Sequence, residues 1–265
     1  MAKTSSPWHA KLAYTLALIL PLYLLAAPLG TKFGLWDWKF GLGTMLFQLG
    51  GFVIGGVALI ALISLIVCLV KPPRDGWKKA AFALAVPAVI VGGAFLMMRG
   101  SENIPAIHDV TTNPENPPQF SEGWVQRREN FGSNPLLDYA EPLSQSEMYQ
   151  GERFGELGAK SLAEINAESY GDLVPLPIGN STPAQAQEAV LAAMQSMGAI
   201  ETDAVDGAVY GTFETLMFGF KDDVAVRIAD GQIDFRSVSR VGVSDIGKNA
   251  SRIRELRAAT EARLR

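Results

Sequence analysis

Three long runs of apolar residues without any charge occupy the first hundred residues of the chain. They span residues 12–31, 41–70 and 80–98. Each run is long enough to cross the hydrocarbon core of a bilayer as a helix. After about residue 100 the apolar runs end, and the remaining chain is long enough to bury a core of its own. The pattern predicts a membrane domain over residues 1–99 that contacts the lipid bilayer, followed by a soluble part.

Basic residues between the second and third runs predict the orientation of this membrane domain. They are Lys71, Arg74, Lys78 and Lys79. Short loops rich in Lys and Arg stay on the cytoplasmic side, so we expect a cytoplasmic N-terminus and a periplasmic soluble domain in a bacterial inner membrane. Gly51 and Gly55 have the spacing that lets two helices approach closely. We expect them to pack against the two neighbouring helices, with contact to another subunit as the alternative.

Residues 182–265 have the clearest pattern in the soluble part. Thr182 and Gln185 are typical of a helix start, and apolar residues follow at helical spacing as far as Met197. Asp206-Gly207 and Asp230-Gly231 each separate two alternating segments, which is the pattern of a β-hairpin. The fold class predicted is therefore α+β: a helix, a four-stranded antiparallel sheet and a final helix.

A two-residue turn at each Asp-Gly pair predicts the register of its hairpin, and both registers place apolar residues together on one face. In the first hairpin Ala204 lies opposite Val209. In the second, Val226 lies opposite Phe235, and Ile228 opposite Ile233. The other face of the second hairpin then pairs Arg227 with Asp234, a cross-strand ion pair.

The segment between these two regions, residues 100–181, has no clear periodicity. Its stretch IPAIHDVTTNPENPPQF holds four prolines in seventeen residues. Proline lacks an amide donor and interrupts helices and central strands, so we predict an extended linker or wrapping segment that either lies against the soluble domain or stays mobile.

Charge and residue usage exclude several classes of function. Residues 101–265 contain fourteen basic and twenty-five acidic side chains, whereas a nucleic-acid-binding domain needs a basic face. Cys68 is the single cysteine and lies in an apolar run, and His108 is the single histidine of the soluble part. We therefore expect no nucleic-acid partner, no cofactor and no metal site.

The stretch RSVSRVGVSDIGKNASRI, residues 236–253, concentrates basic side chains, serines and helix-capping residues between a strand and a helix. A helix start with exposed N–H groups and nearby arginines is typical of an anion site. We therefore predict a binding corner for an anion or a partner. Its residues are Arg236, Ser239, Arg240, Ser244, Asp245, Asn249 and Arg252. The alternative is a buried network in which aspartates neutralise the arginines and stabilise the corner.

Evidence for catalysis is weaker. The chain has no G-x-S-x-G pattern, and the neighbouring Asp222 and Asp223 point to opposite faces if they lie on a strand. A hydrolase that uses Asp222, Asp223 or Asp245, with arginines as electrostatic stabilisers, remains one hypothesis.

The segments FKDDVAVRI and IDFRSVSRVGVSDIGKNASRIREL resemble the signature of a bacterial and plastid family known as domain of unknown function 1499. The resemblance covers about residues 165–262. It implies a protein of the cell envelope and supplies no established activity. Many members have a cysteine-containing segment ahead of the domain, and here that region contains no cysteine.

The leading hypothesis is an integral inner-membrane protein with a periplasmic domain that binds a ligand or a protein. Its partner would be another envelope protein or an anionic small molecule. A structural accessory subunit of a larger membrane complex is the alternative from another class.

Overall fold

The computed structural model describes residues 6–72, 74–205 and 207–265. The chain divides into two compact units. The first comprises Met1–Glu102 with Leu216–Gly219, and the second comprises Asn103–Thr215 with Phe220–Arg265.

The first unit contains three helices that are long and apolar enough to cross a membrane. They are α1 (Trp8–Lys32), α2 (Gly50–Val70), which continues a π-helical segment Lys39–Leu49, and α3 (Trp77–Ser101). The first and third predicted apolar runs lie inside α1 and α3, and the second spans the π-helical segment and α2. Their length and composition are those of a membrane protein.

Alanines lie in the apolar core that these three helices share. They are Ala13, Ala17, Ala61 and Ala83. Gly51 and Gly55 are exposed, and a Cβ atom built at either position would meet no described atom within 4 Å. The prediction that these glycines pack against the neighbouring helices is therefore wrong, because the alanine face already allows the helices to approach closely.

The second unit is an α+β domain with a six-stranded antiparallel sheet. Its strands are β1 (Asp109–Thr111), β2 (Leu176–Pro177), β3 (Glu201–Val205), β4 (Ala208–Glu214), β5 (Lys221–Ala229) and β6 (Gln232–Ser239). Its helices are α4 (Glu122–Asn130), α5 (Gly155–Ala159), α6 (Leu162–Ser169), α7 (Pro183–Ser196) and α8 (Lys248–Leu264). The strand order is β1-β6-β5-β4-β3, and β2 also pairs with β6.

Four of these strands, β3 to β6, are those that the hairpin patterns predict. The other two come from the Pro-rich segment 100–181, so the sheet is larger than the predicted four strands. β1 and β2 are only three and two residues long. Strands this short have no alternation that a sequence pattern can detect.

The two faces of the sheet are covered by different parts of the chain. On one face Val224 and Val226 belong to the main core together with α7 and α8 residues such as Val190 and Ile253. On the other, Trp124 of α4 packs in a smaller cluster with residues of the sheet such as Tyr210, Ala225 and Val238. The central strands β4, β5 and β6 are therefore mostly buried on both faces, which explains why polar residues on them need partners.

The local predictions for α7 and the second hairpin are confirmed. Thr182 and Gln185 form a reciprocal capping box at the start of α7. In the hairpin, Val226 lies opposite Phe235, and Arg227 lies opposite Asp234. Arg227 Nη2 is 2.6 Å from Asp234 Oδ2. In the first hairpin Ala204 pairs with Val209, as predicted, whereas Asp206 of its turn lies outside the described residues.

The turn of the second hairpin requires a left-handed backbone conformation, and a substitution at Gly231 tests this requirement. Asp230 and Gly231 have φ angles of 52° and 76°. We expect Gly231→Val to lower the free energy of unfolding by about 1–2 kcal/mol, since a β-branched side chain is strained at positive φ. Hydrogen exchange of the β5 and β6 amides in the full chain in detergent measures the loss. Asp230→Asn is the control, because Asn tolerates this conformation, and an equal loss in that variant would contradict the explanation.

Candidate functional site

The predicted corner runs from the second half of β6 into α8. Between these two elements, the carboxylate of Asp245 binds backbone amides at the start of α8. Gly247 has a φ of 77° and is the residue before the first turn of α8. Asp245 Oδ1 accepts a hydrogen bond from Gly247 N at 2.8 Å, and its Oδ2 accepts one from Asn249 N at 2.5 Å. Ser244 Oγ accepts from Ile246 N at 3.2 Å. Ser244, Asp245 and Asn249 are all residue types that cap helices, and Asp245 is the one whose side chain accepts from an amide in the first turn of α8.

Hydrogen bonds of the Asn249 side chain connect α8 with β6 and its neighbours. Its side chain is buried and accepts hydrogen bonds from Ser237 Oγ at 2.7 Å and from Arg252 Nη1 at 2.8 Å. Its amide group donates to Ser239 Oγ at 3.0 Å and to the carbonyl of His108 at 2.9 Å. Asn249 therefore uses both ends of its amide to connect β6, α8 and the residue before β1.

Arg252 completes this side of the network. Its Nη2 donates to Asp222 Oδ2 at 2.6 Å, and both side chains are almost fully buried. Ser239, Asn249 and Arg252 of the predicted corner are thus brought together on the face that α8 covers. A charge-assisted hydrogen bond between α8 and β5 is the result.

The opposite face of the sheet holds a second network centred on Asp223. This carboxylate is 0% exposed and lies against two arginines. Arg240 donates from Nε at 2.9 Å and from Nη2 at 2.8 Å, and Arg128 of α4 donates from Nη1 at 2.6 Å. Thr212 Oγ1 adds a fourth donor at 2.8 Å. Burial lowers the pKa of Arg128, and the charge of Asp223 opposes that change.

Arg236 forms a third buried pair on this face. It donates to Asp109 from Nε at 3.0 Å and from Nη2 at 2.7 Å, and to the carbonyl of Pro118 from Nη1 at 3.2 Å. Tyr139 Oη donates to Asp109 Oδ1 at 2.7 Å. Burial by itself would lower the pKa of Arg236, but the carboxylate of Asp109 raises it overall and keeps the guanidinium charged.

The three arginines of the predicted corner therefore do not converge on one open cleft. Arg252 lies on one face of the sheet, and Arg236 and Arg240 lie on the other. Each is buried against an aspartate, which is the geometry of the alternative that the sequence left open. An anion at this corner would have to compete with those carboxylates for the guanidinium groups.

His108 and Asp109 are adjacent in sequence but bond to different groups. His108 Nδ1 lies 2.7 Å from Tyr149 Oη, and its Nε2 lies 3.3 Å from the carbonyl of Pro135. Burial lowers the pKa of this histidine. Because Asp109 bonds to Arg236 and Tyr139, it does not orient the imidazole as a catalytic base would require.

Concave surface is found beside Arg236, between the Pro-rich segment and α6. A cavity of about 680 Å³ is lined by residues 114–117 and 119, by residues 136–140 and by Ala163, with the buried Arg236 at its base. A second cavity of about 480 Å³ lies next to it, and both are lined by Pro114, Glu115 and Ala163. We call these two adjoining cavities the groove.

The sequence profile of a family described as "Protein of unknown function (DUF1499)" matches residues 109–260 of this chain. The chain belongs to the DUF1499 family. A search of curated proteins finds no match, and a search of solved structures finds none. The DUF1499 region begins at the first residue of β1 and includes both partners of every buried ion pair described above.

Sequence reasoning missed several residues of the DUF1499 network. They are Asp109, Arg128, Tyr139, Thr212 and Ser237. Asp109 and Tyr139 lie in segments without periodicity, and Arg128 lies in a helix whose composition is that of an exposed element. The sequence held one indication that such partners exist. Asp222 and Asp223 are two charges within an otherwise apolar strand, and buried charges require partners.

Substitution of Asp223 tests how strongly the stability of the DUF1499 domain depends on its buried ion pairs. We expect Asp223→Asn to lower the free energy of unfolding by about 3–5 kcal/mol, because Arg128 and Arg240 then remain buried without a counter-charge. Hydrogen exchange of the β5 amides in the full chain in detergent gives this value. Asp203→Asn, at an exposed position of β3, is the control and should change it by less than about 0.5 kcal/mol. A loss below about 1 kcal/mol in Asp223→Asn would contradict the expected role of the pair.

The environment of Asp245 should make the stability of the domain depend on pH. Burial raises its pKa from 3.8 to about 6, and the amides of Asn249 and Gly247 only partly oppose this. The folded domain therefore favours the protonated acid, so this contribution to stability is complete below about pH 4 and is lost as pH rises through 6. The change corresponds to about 3 kcal/mol.

In Asp245→Asn the side chain cannot ionise. We therefore expect the wild type to gain stability relative to this variant as pH falls from 7 to 4. Hydrogen exchange of the α8 amides, corrected for the intrinsic pH dependence of exchange, measures the difference. A difference that is constant across this range would show that the carboxyl titrates normally.

Proposed function

We propose that this protein is a binding protein of the bacterial inner membrane, with its N-terminus in the cytoplasm and its DUF1499 domain in the periplasm. The basic loop that contains Lys71, Arg74 and Lys78 supports this orientation. The ligand is a segment of another envelope protein, held at the groove.

The groove is the observation that carries this proposal. It provides about 680 Å³ and about 480 Å³ of adjoining space, a size typical of ligand sites. Arg236 at its base is nearly inaccessible to solvent and is held in place by Asp109. A concave surface whose base is already held in place by buried hydrogen bonds can bind a ligand without first losing side-chain entropy.

Binding is favoured over hydrolysis by the condition of the three aspartates. Asp222 and Asp223 each bond to arginine, and Asp245 caps α8. A catalytic carboxylate has to reach a substrate or a water molecule, and these three are occupied by structural partners. The same pairs disfavour an anionic small molecule at the corner, since it would have to displace them.

An accessory role in a larger membrane complex is the second candidate. It is supported by the exposed face of α2 around Gly51 and Gly55, where another helix could approach closely. Crosslinking at Gly55→Cys in membranes tests this candidate separately from the groove.

Two cysteine variants test the location of the domain and the occupancy of the groove in one experiment. Cys68, buried in α2, is first replaced by alanine. Ala163→Cys then places a thiol in the groove, and Ala184→Cys places one at an exposed position on α7 as the control. The measurement is the rate of alkylation by a membrane-impermeant maleimide in spheroplasts and in the purified full chain.

We expect both thiols to react in intact spheroplasts, because the domain is on the periplasmic side. Ala163→Cys should react several-fold more slowly in spheroplasts than in the purified chain, since a ligand covers it, whereas Ala184→Cys should react equally in both. Labelling of Ala184→Cys only after lysis would overturn the orientation. Equal rates for Ala163→Cys in both preparations would overturn the occupancy of the groove.

A further inference from the structure

We propose that the occupant of the groove is an extended, positively charged peptide segment. This inference rests on the proposed binding function and adds the chemistry of the ligand to it. Three observations support it: the charge of the residues that line the groove, the bonding of Arg236, and the apolar surface between them.

The first observation is the excess of carboxylates. Glu115 and Asp138 line the larger cavity, and Glu115 and Glu164 line the smaller one. All three are exposed to solvent. Among the described residues that line either cavity, Arg236 is the single basic one. The domain as a whole carries more acidic than basic side chains, so its field attracts cations and repels anions.

The second observation concerns the charge at the base of the groove. Arg236 is paired with Asp109 through two hydrogen bonds, so the pair is neutral as seen from the groove. The side chain of Arg236 is only 2% exposed and also lies against the rings of Phe120 and Tyr139. The charge that the groove presents to a ligand is therefore set by its exposed carboxylates, which favour a cation over an anion.

The third observation is the surface that connects these groups. Pro114, Pro117, Leu136 and Ala140 lie among the lining residues of the larger cavity. An extended peptide points successive side chains to opposite sides and keeps its carbonyls free between them. Basic side chains can then reach Glu115 and Asp138 while small apolar ones contact the prolines and Leu136. A polyamine would satisfy the carboxylates but offers no apolar side chains for this surface.

The test uses the purified full chain in nanodiscs of zwitterionic lipid, so that the membrane itself does not attract a charged peptide. Three fluorescent ten-residue peptides are compared by anisotropy: lysine alternating with alanine, and the same peptide with glutamine or glutamate in place of lysine. We expect the lysine peptide to bind, the glutamine peptide to bind at least tenfold more weakly and the glutamate peptide not to bind. Ala163→Cys should be protected from alkylation by the lysine peptide.

A pair of double variants locates the charges that matter. Glu115→Gln with Asp138→Asn should weaken the lysine peptide at least tenfold. Glu188→Gln with Asp203→Asn removes the same charge from exposed positions outside the groove and should change binding less than twofold. Since all four side chains are exposed, hydrogen exchange of β6 should be unchanged in both, which confirms that the variants fold.

Each other outcome overturns the inference, and the outcomes differ in what else they overturn. Equal binding of the lysine and glutamine peptides would show a peptide site without charge selection, and the proposed binding function would stand. Equal weakening by both double variants would show attraction to the acidic domain in general. Competition by spermidine as effective as that by the unlabelled peptide would assign a polyamine instead. Failure of every peptide, together with unprotected Ala163→Cys in spheroplasts, would remove the proposed function as well.

Discussion

Asp223 has no contact with solvent, and its negative charge is tolerable there because Arg128 and Arg240 lie against it. The same condition holds for Asp109 with Arg236 and for Asp222 with Arg252. A buried ion pair of this kind is weak evidence for net stability, since desolvation offsets most of the attraction. Its effect is on geometry, because any arrangement that separates the partners leaves an uncompensated charge in the interior.

These pairs connect parts of the chain that are distant in sequence. Arg128 on α4 joins the segment before residue 182 to β5, and Asp109 joins β1 to β6. Arg252 joins α8 to the other face of the same sheet. The short strand β1 has few hydrogen bonds of its own, so its register depends on the bonds between Asp109 and Arg236 as well as on its backbone pairing. The polar network therefore holds both faces of the sheet to their coverings.

The groove depends on the same interactions. Arg236 forms its base and donates to the carbonyl of Pro118, which lies between the lining residues Pro117 and Gln119. Tyr139 lines the groove, and Asp109 contacts both Arg236 and Tyr139. A ligand in the groove would therefore meet walls that are already positioned by buried hydrogen bonds. The domain therefore has two distinct polar regions. In the interior, the donors and acceptors of the corner bind one another, whereas the groove is a concave surface with exposed carboxylates.

Elements that depend on local pattern follow from the amino-acid sequence alone. Apolar runs specified the three long helices, the Thr182 and Gln185 box specified the start of α7, and the Asp230-Gly231 turn specified a hairpin and its register. The sequence also indicated that the arginines of residues 236–253 need partners, since cations near a strand and a helix start require compensation. The identity of these partners follows from the three-dimensional fold. Asp109, Arg128 and Tyr139 lie on short or irregular segments that have no periodicity of their own, and their positions follow from long-range packing. For the same reason the groove, built from loops on both sides of one buried arginine, has no signature in the sequence.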